Sequence, residues 1–400
     1  MIIGIIGKAN VGKSTFFNAA TELAVPAANY PFTTVEPNVG VAYARVKCVC
    51  REFGVQDNPV HSICIDGNRF IPVKLVDVAG LVPGAHAGKG LGNKFLDDAR
   101  QADALVHVVD ASGSTDSAGK SVPAGAGDPM FDVQFVEEEF DLWMSAIVSR
   151  DWSKTAREAE NQGQKLEQML AKRFSGLAIP EHLISATVHE SGLGLKKPTQ
   201  WTEDEIRRFC HMLRVKSKPF VVAANKADLP TADANIEKMK KAGLAVVQCA
   251  SEAEAMLKKA SKKGMLHYLP GDNSFDVKPN VALNDAQKKA LDIVKALIEK
   301  YGSTGVQEAI NIACFKLLHL VAVYPVEDEF KLADKKGNVL PDVRLLPEGS
   351  TAKDLAGTVH ADLAKGFLYA VDARTKQRIG ADHKLKNGDV IKIVSAASRG

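Results

Sequence analysis

The chain has 400 residues, 46% of them hydrophobic and 25% charged, with a formal net charge of +3. That length accommodates two or three domains with a sizeable core, and the composition is that of an ordinary globular protein. The near-balanced charge excludes a histone-like polycation but leaves room for a local basic patch. Residues 1–6 (MIIGII) read as a buried parallel strand, and residues 13–23 read as a helix. The apolar start is short and has no basic lead, so no signal peptide is expected. No run of about 20 apolar residues suggests a transmembrane helix either. Further short apolar strands are predicted at 73–77, 104–110, 219–225 and 244–249. Strands of this kind alternating with helices predict an α/β fold with a doubly wound, mainly parallel sheet.

Residues 112–129 are rich in Ser, Gly and Pro and predict a loop. A charged helical pattern over 133–174 marks a helical insertion placed at about 130–215. Thr202 and Glu205 fit a capping box that opens another helix. Residues 284–320 are helical in pattern, and 281–320 are expected to form a helical connector. From residue 321 to 400, short apolar runs alternate with Gly and Pro turns and predict a small β-rich domain. The nucleotide-binding core is expected over 1–280. The six cysteines are Cys48, Cys50, Cys64, Cys210, Cys249 and Cys314. None forms a CxxC pair, and the Cys48–Cys50 spacing is too short for one. Reduced thiols of a cytoplasmic protein are therefore the expectation.

Three separated motifs carry chemistry. Gly7, Lys8, Ala9, Asn10, Val11, Gly12, Lys13 and Ser14 match GxxxxGK[ST] between a predicted strand and a predicted helix. Backbone N–H groups of such a loop wrap a phosphate, together with the helix start at Thr15. Lys13 is expected on the β- and γ-phosphates and Ser14 on Mg²⁺. Asp77 to Gly80 (DVAG) follows an apolar strand. Asp77 suits the Mg²⁺ shell, and the Gly80 N–H suits the γ-phosphate. Asn225, Lys226 and Asp228 belong to NKAD, again after an apolar strand. A carboxylate at Asp228 accepts from guanine N1–H and its 2-amino group, an arrangement adenine lacks. Asn225 is expected to brace the loop and the Lys226 stem to lie by the base. The order of the three motifs predicts binding of GTP and GDP.

GKANVGKS, the stretch YPFTT at 30–34 and DVAGLVPGAHAGKGLGNKFLDDAR at 77–100 resemble the Obg family of GTPases, specifically its YchF-like branch in an archaeal-type form. The resemblance covers most of the chain. It implies a P-loop NTPase fold with 30–34 as the first switch. Thr34, or its neighbour Thr33, would sense the γ-phosphate and Mg²⁺. It implies a second switch from DVAGL through Arg100, with Gly84, Gly88, Gly90 and Gly92 giving freedom. The base-contacting loop corresponds to Cys249, Ala250 and Ser251, with the Ala250 N–H meeting guanine O6. Residues 321–395 resemble a TGS domain, a β-grasp module, on LLPEGSTAKDLAGTVHADLAKGF and NGDVIKIV. Such modules imply a ribosome or RNA partner. Arg374, Lys376, Arg378, Lys384 and Lys386 are the candidate basic edge.

Leu81 stands where many switch GTPases carry a water-orienting glutamine, so slow intrinsic hydrolysis is expected. Asn10, as a ligand of K⁺ beside the phosphates, is one candidate for the missing group. His86 is another, and a protein partner acting in trans is a third. The competing readings are a P-loop kinase or ATPase, and a scaffold that nucleotide merely stabilises.

Overall fold

In the computed structural model the described residues are 1–22, 38–78, 99–177 and 179–396. They divide into two compact units, Met1–Ala19 with Leu75–Ala309, and Ala20–Lys74 with Ile310–Gly400. In chain order the strands are β1 (Ile2–Ile6), β2 (Val39–Lys47), β3 (Ile63–Ile65), β4 (Asn68–Asp77), β5 (Ala104–Asp110), β6 (Phe220–Asn225) and β7 (Val246–Gln248). They continue with β8 (Leu266–His267), β9 (Asp276–Val277), β10 (Leu320–Val326), β11 (Arg344–Pro347), β12 (Phe367–Asp372), β13 (Arg378–Ile379) and β14 (Val390–Ser395).

In the first unit β1, β5, β6 and β7 lie side by side and all pair in parallel. Every residue of β5 is buried, as a central parallel strand requires. Beyond the end of β4, Val78 N–H donates to the Ile5 carbonyl (3.0 Å). The carboxyl ends of β1, β5 and β6 lead into the P-loop, the 112–129 loop and NKAD, which is where an open α/β sheet binds its ligand. The expected insertion is a set of helices from Pro129–Ser149 to Glu203–Ser217. Asp128 caps the first of them by accepting from Met130 N, with Pro129 behind it. The Thr202–Glu205 capping box forms with both of its hydrogen bonds. These helices enclose a core of their own in which Trp152, Trp201 and Phe209 pack ring against ring.

The expected connector is broken earlier than the pattern suggested. Its helix, Asp285–Tyr301, stops at Gly302, whose φ of +85° ends it in the left-handed region. The second unit contains a five-stranded sheet in the order β11-β10-β14-β12-β13. Its central pair β10–β14 is parallel, and helix Ala352–Val359 closes over a core of Val323, Leu346, Leu355, Ala370 and Ile391. This is the β-grasp arrangement expected for the C-terminal part. The span 1–280 is not one contiguous unit, because residues 20–74 group with the C-terminal part. The reason lies in direct bonds: Asn58 N–H donates to the Val339 carbonyl (3.1 Å) and Val60 N–H to that of Pro341 (2.8 Å).

Candidate nucleotide-binding site

The P-loop conformation follows from its glycines. Gly7 has φ +143°, and a Cβ there would meet the Val108 carbonyl oxygen at 2.3 Å. Gly12 has φ +94°, and a Cβ there would strike Asn225 Nδ2 at 2.2 Å. The helix Lys13–Thr21 starts directly after it, so its unpaired N–H groups open toward the loop.

Asn225 ties the site together. Its Nδ2 donates to the Val11 carbonyl (3.0 Å), while its Oδ1 accepts from Ser251 N (3.1 Å) and Ser251 Oγ (2.8 Å). One buried carboxamide thus holds the P-loop, NKAD and the 249–251 loop in register. Cys249 does not weaken that bracing, because Ser251 supplies the hydroxyl. Cys249 acts through its backbone, with its N–H to the Ala224 carbonyl (2.9 Å) and its carbonyl accepting from Ala227 N (3.0 Å). Its thiol is wholly buried, and burial pushes its pKa well up. Lys226 sits at φ +59°, which turns the chain so that Asp228 is exposed. Asp228 has no hydrogen-bond partner among the described residues and is free to accept from a base.

Three placements differ from expectation. Lys8 was grouped with the nucleotide-binding residues, yet its ammonium lies 2.7 Å from Asp132 and donates to the carbonyls of Thr115 (3.2 Å) and Asp116 (2.7 Å). A cation 5% exposed needs such a partner, so the side chain anchors the 112–129 loop and leaves only its backbone for phosphate. The Ala250 N–H donates to the Thr304 carbonyl (2.9 Å), so it does not point free toward guanine O6 in this arrangement. The basic edge is partly engaged within the protein. Arg374 pairs with Glu52 through two hydrogen bonds (2.5 and 2.9 Å), Lys376 donates to the Glu329 carbonyl, and Lys384 donates to that of Gly349.

Asn10 stands at φ +61°, with its Nδ2 donating to the Gly119 carbonyl (2.8 Å). Lys13 Nζ donates to the Lys8 carbonyl (2.8 Å). Burial lowers the Lys13 pKa, and Asp77 opposes that shift; burial raises the Asp77 pKa, and Lys13 opposes that one. Asp77 Oδ1 is buried with no hydrogen-bond partner among the described residues. An orphaned carboxylate oxygen near the phosphate lysine fits the outer shell of Mg²⁺, and the exposed Ser14 hydroxyl fits its inner shell. Thr33, Thr34, Gly80, Leu81, His86 and the other switch residues at 30–32 and 84–92 lie outside the described residues.

Sequence reasoning missed Asp110. It ends β5, is 1% exposed, and accepts from Lys226 Nζ (2.8 Å), Ser112 Oγ (2.5 Å) and Ser114 Oγ (2.8 Å). Burial would raise its pKa, but Lys226 and the two hydroxyls outweigh that and hold it below the usual range. The Lys226 stem is thereby fixed against the wall of the base site. The signal was present as an aspartate ending an apolar strand before Ser-Gly-Ser.

A parallel sheet that delivers a phosphate loop, the Asp77 carboxylate and an NKAD loop to one edge defines a P-loop GTP-binding protein. The comparisons agree. Residues 2–128 match a 50S ribosome-binding GTPase domain, 223–328 an Obg-like GTPase YGR210-like, G4 motif-containing domain, and 335–395 a TGS domain. The chain is 49% identical to a GTP-binding protein of Methanocaldococcus jannaschii over 99% of each chain. A crystal structure of a GTP-binding protein from Pyrococcus horikoshii matches with TM-score 0.79 and 41% identity, over 99% of this chain and 100% of that one. The ribosome-binding ATPase YchF of Bacillus subtilis is 26% identical over 92% of this chain and 87% of its own. The chain belongs to the Obg-like, YchF-type family of GTPases. Among the described residues no helix is long and apolar enough to cross a membrane.

Proposed function

We propose that the protein binds GTP with Mg²⁺, hydrolyses it slowly to GDP and phosphate, and reports its nucleotide state to a ribosome or RNA partner in the cytoplasm. The observation that carries the reading is the exposed Asp228, without a hydrogen-bond partner among the described residues and fixed beside a P-loop by Asn225. A free carboxylate there favours guanine, which donates two hydrogen bonds, over adenine, which presents an acceptor at N1. Lys13, Gly80 and Thr34 are the proposed contacts to the γ-phosphate, and Ser14, Asp77 and Thr34 the proposed Mg²⁺ set. Leu81 cannot orient water, and this supports low intrinsic turnover. Asn10 retains Oδ1 for a K⁺ ion while its Nδ2 holds Gly119. The ribosome reading rests on the match to a 50S ribosome-binding GTPase domain and on the ribosome-binding relative in Bacillus subtilis. A protein partner that supplies the missing group would raise turnover on the same site.

The test is phosphate release from GTP by the full chain, alone and with ribosomal subunits, alongside co-sedimentation in GDP and in a non-hydrolysable GTP analogue. Slow release, and stronger co-sedimentation with the analogue, support the proposal. A phosphorylated acceptor in place of free phosphate would point to a kinase. Binding of GTP with no release under any condition would point to a scaffold.

A further inference from the structure

In the second unit, outside the nucleotide site, Cys48, Cys50, Asp57 and Cys64 place one ligand atom each so that all lie within 4.8 Å of one another. Cys48 Sγ is 3.2 Å from Asp57 Oδ2, and Cys50 Sγ is 3.8 Å from Cys64 Sγ. The cysteines are free thiols. A tetrahedral zinc with Zn–S near 2.3 Å and Zn–O near 2.0 Å sets S···S at about 3.8 Å and S···O at about 3.5 Å. The spacing already approaches those edges.

The ligands come from different parts of one excursion. Cys48 and Cys50 flank the turn that enters the short helix Cys50–Phe53, Asp57 follows it, and Cys64 lies on β3. Cys64 faces Arg69 across the β3–β4 ladder. Within residues 48–64 the buried positions are Cys48, Val49, Cys50, Asp57 and Ser62. Only Val49 among them is an ordinary apolar side chain, so hydrophobic packing does not hold this segment closed. What converges inside it is a donor set.

The surroundings suit a site that carries negative charge. Arg69, wholly buried, donates from Nη2 to Asp57 Oδ2 (2.7 Å) and to Cys48 Sγ (3.4 Å), and from Nη1 to Ser62 Oγ (2.8 Å). Both of its terminal nitrogens also reach the Leu340 carbonyl at 3.2 Å. The Tyr324 ring lies 5.4 Å from the guanidinium. Three thiolates and a carboxylate around a divalent ion leave excess negative charge, which Arg69 offsets as an outer partner of two of the ligands.

We infer that Cys48, Cys50, Asp57 and Cys64 form a structural zinc site that closes the 48–64 excursion beside residues 338–341. All four positions come from the protein, so none is open for catalysis. Binding releases the thiol protons to solvent, which makes uptake weaker at low pH.

The test uses the full-length protein purified without chelator or added metal. Elemental analysis should find about one zinc per chain. A mercurial that modifies thiols should release it to a zinc indicator. Co²⁺ loaded in place of zinc should give thiolate-to-cobalt charge-transfer absorption and the strong visible bands of a tetrahedral site. Cys64→Ser should lower bound zinc at least tenfold while GTP binding stays unchanged, since no ligand lies in the nucleotide site. If Cys64→Ser does not fold, the wild-type stoichiometry and cobalt spectrum still decide. Zinc below a tenth of an equivalent after growth in zinc-supplemented medium, or a cobalt spectrum without sulfur ligation, overturns the inference. So does a Cys50–Cys64 disulfide found by mass in the freshly purified protein.

Discussion

Replacing Asn225 by alanine removes a side chain that bonds the P-loop to the 249–251 loop. The change takes away the donor to the Val11 carbonyl and the acceptor for two groups of Ser251. Asn225 is 3% exposed, so water does not readily replace those bonds. Leaving a buried backbone carbonyl and a buried N–H unpaired costs about 1–3 kcal/mol each. The combined loss should be about 2–6 kcal/mol, shared between stability and nucleotide affinity. Titration with a fluorescent GDP analogue, read beside the melting temperature without nucleotide, separates the two shares. Asn225→Asp refines the test, because a carboxylate still accepts from Ser251 but faces the Val11 oxygen without a proton between them. Its loss should appear mainly in phosphate-dependent affinity. Wild-type melting temperature and wild-type affinity in Asn225→Ala would refute the bracing role.

Other consequences can be checked separately. His107 is fully buried on β5 with neither ring nitrogen bonded among the described residues, and burial, with Lys13 adding to it, pushes its pKa down to about 3 from an ordinary 6.5. The unfolded chain therefore binds the extra proton first, and stability falls as pH drops from 6.5 toward 3, by about 2 kcal/mol at pH 5. His107→Leu should show a smaller drop in melting temperature between pH 7 and pH 5; an equal drop would contradict this. Lys8→Met strands the buried Asp132 carboxylate and should cost about 3–5 kcal/mol in denaturant unfolding, most of it recovered by adding Asp132→Leu. Failure of the double variant to recover would mean that Lys8 acts elsewhere. If Asn10 helps hold K⁺, phosphate release should be faster in K⁺ than in Na⁺ at matched ionic strength, and Asn10→Ala should remove the difference.

The sequence made the phosphate loop and NKAD legible because phosphate and guanine impose both residue type and spacing. The strands under them were legible because central parallel strands are continuous apolar runs, as β5 and β6 are. The partners of Lys8 were not legible. Asp132 lies far along the chain, and a lysine inside a phosphate loop gives no sign that its side chain turns away. The role of Ser251 was hidden for the same reason, because its bond to Asn225 exists only once β6 and β7 are paired. The cysteine cluster was unreadable by spacing. Its ligands are brought together by a short helix and a hairpin rather than by a CxxC turn. The grouping of residues 20–74 with the C-terminal strands likewise depends on backbone pairing that no local pattern announces.

The most direct test of the central claim is competition for a fluorescent GDP analogue by GTP, ATP and XTP, in wild type and in Asp228→Asn. Xanthine carries an oxygen where guanine carries its 2-amino group, so an amide at position 228 should exchange one preference for the other. The account predicts that GTP outcompetes ATP at least about a hundredfold in wild type, which is roughly two hydrogen bonds to a charged acceptor. It predicts that Asp228→Asn weakens GTP and strengthens XTP. Equal competition by ATP and GTP in wild type, with no effect of Asp228→Asn, would contradict the assignment of this site to guanine.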